Sequence, residues 1–328
     1  MKYSLFLPSD DLYELYNKNR EGAFIPGPYN LDERLPYSII IPHKDMLTWN
    51  EDRPMPLGRM MDTWPTSDDT EVIVVDDHSS DVALSRVHST YFDMNHFLFV
   101  NLRASKKGAG AARNGGIGLA CGKWLIFADA DDYFLPDMKR IIDKYRDSDA
   151  DLIYFHTACV NMTTGQEGAR HHRFNAMLDA YTANPTEENL NALRYGFTPP
   201  WSKMIKRDLI MCNEIRFDEV MASNETMFSI LAAYHAKKIL VAPETIYCVT
   251  ENSFGLAKTI SKEAWYACFD VALRANKFLR SVGMGKHQCC IPMQSFKASQ
   301  YGLKDLFKII GMLIKYRQNP LAGLRRKT

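Results

Sequence analysis

Three short runs of β-branched and aromatic residues limit how this chain can fold. Tyr37 to Ile41 is closed by Pro42, Glu71 to Val75 runs into Asp76 and Asp77, and Trp124 to Ala128 runs into Asp129, Asp131 and Asp132. The runs are apolar at successive rather than alternate positions, the mark of strands covered on both faces. Between them lie segments of helical character, Leu57 to Trp64 and the small-residue stretch Gly110 to Cys121. Two more strand signals stand at Phe97 to Val100 and Asp151 to His156, and a helix is expected over Pro136 to Arg146, where proline suits a first turn. Strands alternating with helices predict an α/β fold, Rossmann-like, with a mostly parallel central sheet and helices on both faces. Ligands of such sheets sit at the carboxyl ends of strands. Here those ends carry acids.

The flanks read differently. Residues 1–36, punctuated by Pro26, Gly27, Pro28 and Pro36, are expected to lie over the core as an extension with one helix near Asp10 to Asn19. Beyond residue 160 a polar segment opens at His171, His172 and Arg173, two adjacent histidines whose rings are expected to point different ways. Helices are expected over Pro185 to Tyr195 (begun at Asn184 or Thr186), Trp201 to Ile210 and Thr226 to His235. A strand over Lys238 to Ala242, a Pro-Glu turn and an apolar run over Thr245 to Val249 come next, and from Ser261 only helices are expected.

Charge and cysteine usage exclude some classes. Lys and Arg number 40 against 39 Asp and Glu, a net charge of +1, so no global attraction to nucleic acid exists and none is expected as a partner. Seven scattered cysteines without paired CxxC spacing argue against a zinc ribbon and fit the reduced thiols of a cytoplasmic protein. The start of the chain lacks the basic and long apolar parts of a signal peptide, and no run of roughly 18 apolar residues suggests a bilayer span.

The triplet Asp129, Ala130, Asp131 is the centre of the candidate chemistry. Residues two apart on an extended backbone face one side, so two carboxylates enter one space, where they repel unless a cation or proton stands between them. An oxygen-only pair suits Mn²⁺ or Mg²⁺, which also bridges phosphate oxygens. Alone, such a triplet reads equally as an acidic turn capping a helix. Asp76 and Asp77 can accept hydrogen bonds from a nucleoside, or cap a helix. The glycine- and alanine-rich stretch from Gly108 to Gly116 allows close backbone approach, and Arg113 within it offers a charge-assisted fork for phosphate or base oxygens. It is neither a dinucleotide fingerprint nor a GK[ST] phosphate loop.

The order "YSIIIPHKD", "EVIVVDDHSSD", "GAGAARNGGIGLACGKWLIFADADDYF" resembles family 2 glycosyltransferases of the GT-A fold. The resemblance covers roughly residues 37–155, and a looser block, "PPWSKMIKRDLI", "IRFDEV" and "SNETMF", is similar to members that build bacterial polysaccharide or lipopolysaccharide. It implies a catalytic domain over 37–255, with a nucleotide-sugar half at 37–155 and an acceptor half at 156–255. A helical C-terminal region over 256–328 completes the chain. It implies a donor site at Pro42, Asp76, Asp77, Arg113, Asp129, Ala130 and Asp131, with the metal at Asp131 and Asp129. The implied activity is inverting, metal-dependent transfer of a hexose from a nucleotide-diphosphate sugar, by family habit a UDP-sugar, to a glycan or lipid-linked hydroxyl. In the family's G-E-D-x-x-F pattern Asn224 replaces the first acid and Glu225 stands for the second, so Glu225 is the expected general base, with Asp218 and Glu219 as fallbacks. Capping of the following helix is the plainer role for Glu225.

Trp201 is a candidate to stack on an acceptor sugar, or else a packing residue, and Lys203 and Lys206 read as a solvated face. Leu303, Leu306, Phe307, Ile310, Leu313 and Ile314 recur at helical spacing beside Lys304, Lys308, Lys315 and Arg317. This basic amphipathic stretch, with the tail to Lys327, suits contact of residues 303–327 with the inner face of a membrane, or packing in a core or oligomer. A sugar-nucleotide-binding module without catalysis and a nucleotidyltransferase are the rival readings.

Overall fold

The computed structural model describes residues 35–46, 56–64, 67–80, 97–101, 108–251, 261–291 and 302–321. The expected N-terminal helix and the basic tail at Arg325, Arg326 and Lys327 lie outside the described residues. In chain order the strands are β1 (Tyr37–His43), β2 (Thr70–Asp76), β3 (Phe97–Asn101), β4 (Trp124–Phe127), β5 (Tyr133–Phe134), β6 (Leu152–Asn161), β7 (Lys203–Lys206) and β8 (Ile239–Glu251). The helices are α1 (Pro56–Thr63), α2 (Ala109–Leu119), α3 (Met138–Asp143), α4 (His172–Ala183), α5 (Glu187–Gly196), α6 (Arg207–Cys212), α7 (Thr226–His235), α8 (Lys262–Ser281) and α9 (Leu303–Lys315).

One sheet runs in the order β3-β2-β1-β4-β7-β6-β8-β5. Four of its seven pairings are parallel, and β7 and β5 supply the antiparallel ones. Every residue of β1 and β2 is buried, as their uninterrupted apolar runs require. Ile40 sits in register with Ile73 on one side and Phe127 on the other. Each fully buried aliphatic or aromatic side chain of this kind contributes roughly 1.5–3 kcal/mol. Helix α2 lies against β1 so closely that a Cβ at Gly116 would meet Ile40 Cγ2 at 2.5 Å.

Three expectations change. Trp201 to Ile210 is not one helix. Lys203–Lys206 forms β7 between β4 and β6, pairing Ile205 with Leu125 and Met204 with Ile153, and α6 begins only at Arg207. Four residues are too few to display a period, and the empty slot between two apolar strands selects the extended form. Helix α4 forms in the segment read only as polar, where no helix was expected; only Leu178 on it is fully buried, so its sequence carries little amphipathic signal. The expected Pro-Glu turn is a bulge within a single strand, because β8 skips from Val241 to Thr245 while β6 advances only from Tyr154 to His156. Helix α5 starts where Thr186 Oγ1 accepts from Asn189 N–H at 3.3 Å.

The C-terminal helices form a smaller core of Trp265, Phe269, Leu273, Ile291 and Ile309. Asp305 on α9 receives Lys262 and Tyr266 of α8 at 2.8 and 2.7 Å. Helix α8 reaches the main domain through Arg274, which forks onto both oxygens of Asp218 at 2.9 Å.

Candidate active site

At the end of β1, Pro42 is buried in register with Val75 and His43 is buried beside Asp76, Nε2 lying 3.7 Å from Oδ1. Met46 N–H donates to His43 Nδ1, so the neutral ring carries its proton on Nε2, facing Asp76. Burial pushes the His43 pKa down from 6.5 to about 4, with Asp45 opposing. Between those values the unfolded chain binds a proton that the folded ring refuses, so acidification through this window erodes stability. At about 1.4 kcal/mol per unit the His43 contribution amounts to roughly 3 kcal/mol. Burial shifts Glu71, Asp76, Asp131 and Asp132 upward, which acts in the opposite direction. Comparison with His43→Gln isolates the histidine: urea unfolding of both proteins at pH 7 and pH 4 is expected to show wild type losing more than the variant. Equal losses contradict it.

Asp76 accepts Ser79 N–H at 3.2 Å through Oδ2, while its buried Oδ1 has no hydrogen-bond partner among the described residues. Asp77 takes Gly108 N–H on both oxygens at 2.9 Å and so fixes the entry to α2.

The turn after β4 carries the acidic triplet. Ala130 is buried, while Asp129 and Asp131 are half-buried. Tyr247 on β8 is the residue that shapes this turn: its hydroxyl accepts Asp129 N–H at 2.8 Å and donates to Asp132 Oδ2 at 2.9 Å. Asp132 Oδ1 accepts Thr250 N–H at 2.7 Å, and Asp131 O accepts the Thr250 hydroxyl and an Arg59 N–H. Asp132 is thus an anchor beneath the turn, its proton affinity raised by burial and by Asp131 and Asp129. The Asp131 carboxylate takes no hydrogen bond from another residue among those described. Burial first, and Asp129 second, push its pKa up; Arg170 and Arg59 oppose. Asp131 is thus a half-buried carboxylate near enough to Asp129 to feel its charge, and an oxygen-only pair of this kind suits a hard divalent cation.

The Arg-Asn element of α2 joins this turn to the segment before α7. Arg113, 5% exposed, donates to Asp129 Oδ1 at 2.5 Å and to Asn224 Oδ1 at 2.8 Å, with its guanidinium over the Phe217 ring. Asn114 pairs with the backbone of Phe217, donating to O at 2.9 Å and accepting N–H at 2.8 Å. Gly110 makes this approach feasible, because a Cβ there would meet Asp218 O at 2.0 Å. Ser223 holds φ +58°, a conformation that explains glycine at this place in the family pattern. Glu225 follows, half-buried at the start of α7, and its side chain makes no capping hydrogen bond. Its pKa is pushed up by burial above all and by Asp129, against Arg113 and Lys203. Of the fallback acids, Asp218 is engaged by Arg274 and Glu219 lies 3.4 Å from Asn114 Nδ2.

Trp201 is 3% exposed, stacked on Tyr247 at 6.0 Å and edge-on to Phe174 and Phe197, so no ring face is free for a sugar. The reading of Lys203 as solvated also fails: it is 1% exposed. Lys206 is only partly buried and lies 3.7 Å from Asp151. His171 and His172 do not diverge; both direct Nε2 at Glu167 Oε1, at 3.2 and 3.5 Å. Tyr247, Arg59 and Arg170 were missed as neighbours of the triplet, and no local pattern marks them; Asp132 was read as an acid of the strand end but not as the anchor beneath the turn.

Solved structures share this architecture. TarS of S. aureus, residues 1–349 in complex with UDP-GlcNAc, superposes with a TM-score of 0.63 at 17% identity, covering 85% of this chain and 80% of that one. A second structure of S. aureus TarS 1–349 gives 0.60 at 18% identity. The chain therefore shares the GT-A fold of these structures. Residues 57–212 match the model of glycosyl transferase family 2. The putative glycosyltransferase EpsH of Bacillus subtilis is 26% identical over 187 residues, which cover 56% of this chain and 52% of that protein. The poly(ribitol-phosphate) beta-glucosyltransferase of Bacillus spizizenii is 25% identical over 182 residues, 55% of this chain and 27% of that protein. The matches thus span about half or less of these curated relatives. Residues 57–212, a little under half of the chain, are thus similar to glycosyl transferase family 2, within a chain that shares the fold of the TarS structures. The family match ends before Glu225.

Proposed function

We propose that this protein transfers a hexose from a nucleotide-diphosphate sugar to a hydroxyl of a glycan or lipid-linked acceptor, with inversion. The observation that carries this reading is the single hook of Arg113, which holds Asp129 of the acidic turn and Asn224, the neighbour of Glu225. Donor groups and candidate base are thereby held on one frame. Residues 37–155 would form the donor half, 156–255 the acceptor half, and 256–328 a helical appendage. A UDP-sugar is the first donor to test, since a solved protein of the same fold is a UDP-GlcNAc complex.

Asp131 and Asp129 would hold Mn²⁺ or Mg²⁺, and such an ion neutralises charge on a departing diphosphate. Asp76 and Asp77 would stand at the nucleoside end, where Asp76 Oδ1 is buried and has no hydrogen-bond partner among the described residues. Arg59 and Arg170, close enough to Asp131 to oppose its protonation, add positive charge on the diphosphate side. Glu225 removes the proton of the acceptor hydroxyl as it attacks the face opposite the diphosphate. A diphosphate leaves without protonation, so one base suffices, unlike the two carboxylates of an inverting glycosidase. Incubation with a panel of nucleotide sugars, with and without Mn²⁺, tests the reading. Release of nucleoside diphosphate and an inverted product support it; release of pyrophosphate from a nucleoside triphosphate would show nucleotidyl transfer instead.

The peripheral-membrane reading rests on α9. Ile309 faces the small core at 1% exposure, whereas Leu303, Phe307 and Ile314 are 75, 71 and 71% exposed. Lys304, Lys308, Lys315 and Arg317 are exposed around them. An outward apolar stripe with a basic border suits an anionic bilayer surface. No helix among the described residues is long and apolar enough to cross a membrane. The double variant Phe307→Glu/Ile314→Glu leaves Ile309 and Asp305 in place. It is expected to stop co-sedimentation with phosphatidylglycerol vesicles that wild type shows; equal pelleting removes the membrane reading.

A further inference from the structure

Lys203 is a buried amine, 1% exposed, with no carboxylate at its Nζ among the described residues. Its Nζ donates to Phe197 O at 2.8 Å and to Ser229 Oγ at 3.3 Å, and it lies 4.8 Å from the Phe197 ring centre and 5.3 Å from that of Tyr154. Among the described residues no carboxylate lies within ion-pair distance of it. A desolvated ammonium costs several kcal/mol, and two hydrogen bonds with two ring faces offset only part of that. Neither bond needs a charge, since a neutral donor would serve Phe197 O, and Ser229 Oγ already donates to Thr198 O at 2.6 Å. The fold therefore keeps a buried amine whose two hydrogen bonds do not require a lysine.

The place of that amine gives it a use. Ser229 is one turn along α7 from Glu225, and its N–H donates to Glu225 O at 2.9 Å. Lys203 thus stands against the first turn of the helix that Glu225 opens. The charged groups facing Glu225 are Arg113 from α2, Asp129 from the turn after β4, and Lys203 from β7. Arg113 is already shared between Asp129 and Asn224, whereas Lys203 makes no ion pair among the described residues. The backbone is bent to bring the two together: Ser202 and Ser223 both hold left-handed φ, +54° and +58°, immediately before Lys203 and just before Glu225.

We propose that Lys203 is a positioning residue for the Glu225 base, holding the turn that carries it and supplying the positive charge that faces its carboxylate from the β7 side. This rests on the assignment of Glu225 as base. When Lys203 is charged, ionised Glu225 is favoured, so the carboxylate stays competent to lower pH; burial, which pulls the Lys203 pKa well down, makes that charge responsive to Glu225 in return.

The test compares Lys203→Met, Lys203→Gln and Glu225→Gln with wild type in the full chain. The readouts are melting temperature, titration with UDP and Mn²⁺, and the pH profile of nucleoside-diphosphate release from a UDP-sugar with water as acceptor. Both Lys203 variants are expected to melt no lower than wild type and to bind UDP unchanged. They should turn over roughly tenfold more slowly, as expected for a displaced base, with the acid limb of kcat/KM moved up by about one pH unit. The glutamine variant keeps a donor for Phe197 O, so its agreement with the methionine variant assigns the effect to charge. An unmoved acid limb, whether or not the variants melt lower, overturns the proposal while a crippled Glu225→Gln leaves the base assignment standing. Full turnover by Glu225→Gln overturns both.

Discussion

Asp131→Asn is expected to abolish sugar transfer while leaving the fold intact. The carboxylate has no hydrogen-bond partner from another described residue, so its loss removes no structural contact, and an amide relieves the repulsion from Asp129 that raises the Asp131 pKa. The variant should therefore melt at or above the wild-type temperature. Cation stabilisation of a leaving diphosphate supplies several kcal/mol, so turnover should fall by roughly three orders of magnitude. The anchor below gives the contrasting case. Asp132 is tied to Tyr247 and Thr250, so Asp132→Asn disturbs the turn and should lose stability as well as activity. Turnover of Asp131→Asn within tenfold of wild type would contradict the role given to Asp131.

Glu225→Gln is expected to lower turnover by about 10²–10⁴, the range of general-base catalysis, with UDP affinity preserved. Glutamine has nearly the shape of glutamate, and the wild-type side chain makes no capping bond that the change would break. In wild type the acid limb of kcat/KM should lie above the ordinary glutamate range. Burial and Asp129 raise the Glu225 pKa, and the base works only when ionised, so activity falls as pH drops through that raised value. A profile flat down to pH 4.5, or a Glu225→Gln enzyme with wild-type turnover, would move the base elsewhere. Asp218 is the weaker successor, since Arg274 occupies both its oxygens.

Local signals made much of this site legible in the sequence. Strands buried on both faces need unbroken apolar runs, and Tyr37 to Ile41 and Glu71 to Val75 are such runs. The acids that close the second run and the third stand at strand ends, whereas Glu71 is admitted at the start of β2 only because Ser38, Cys121 and Gly122 donate to it. Contacts between distant segments were not legible. Tyr247 lies 118 positions from the Asp129 amide it receives, and Asn224 lies 111 from Arg113. Nothing about a tyrosine in a β-rich run announces that its hydroxyl braces an acidic turn. Lys203 was misread for a different reason: "KMIK" looks like a polar-edged fragment, and only its insertion between β4 and β6 turns the lysine inward. Trp201 was misplaced for the same reason, since its ring joins the core beneath β8.

Calorimetric titration of UDP into the full chain, with Mn²⁺ and then with excess EDTA, tests the central claim most directly. The account predicts binding that needs the cation in wild type and is lost in Asp131→Asn even with Mn²⁺ present. Equal UDP affinity with and without the cation, unchanged by Asp131→Asn, would contradict it.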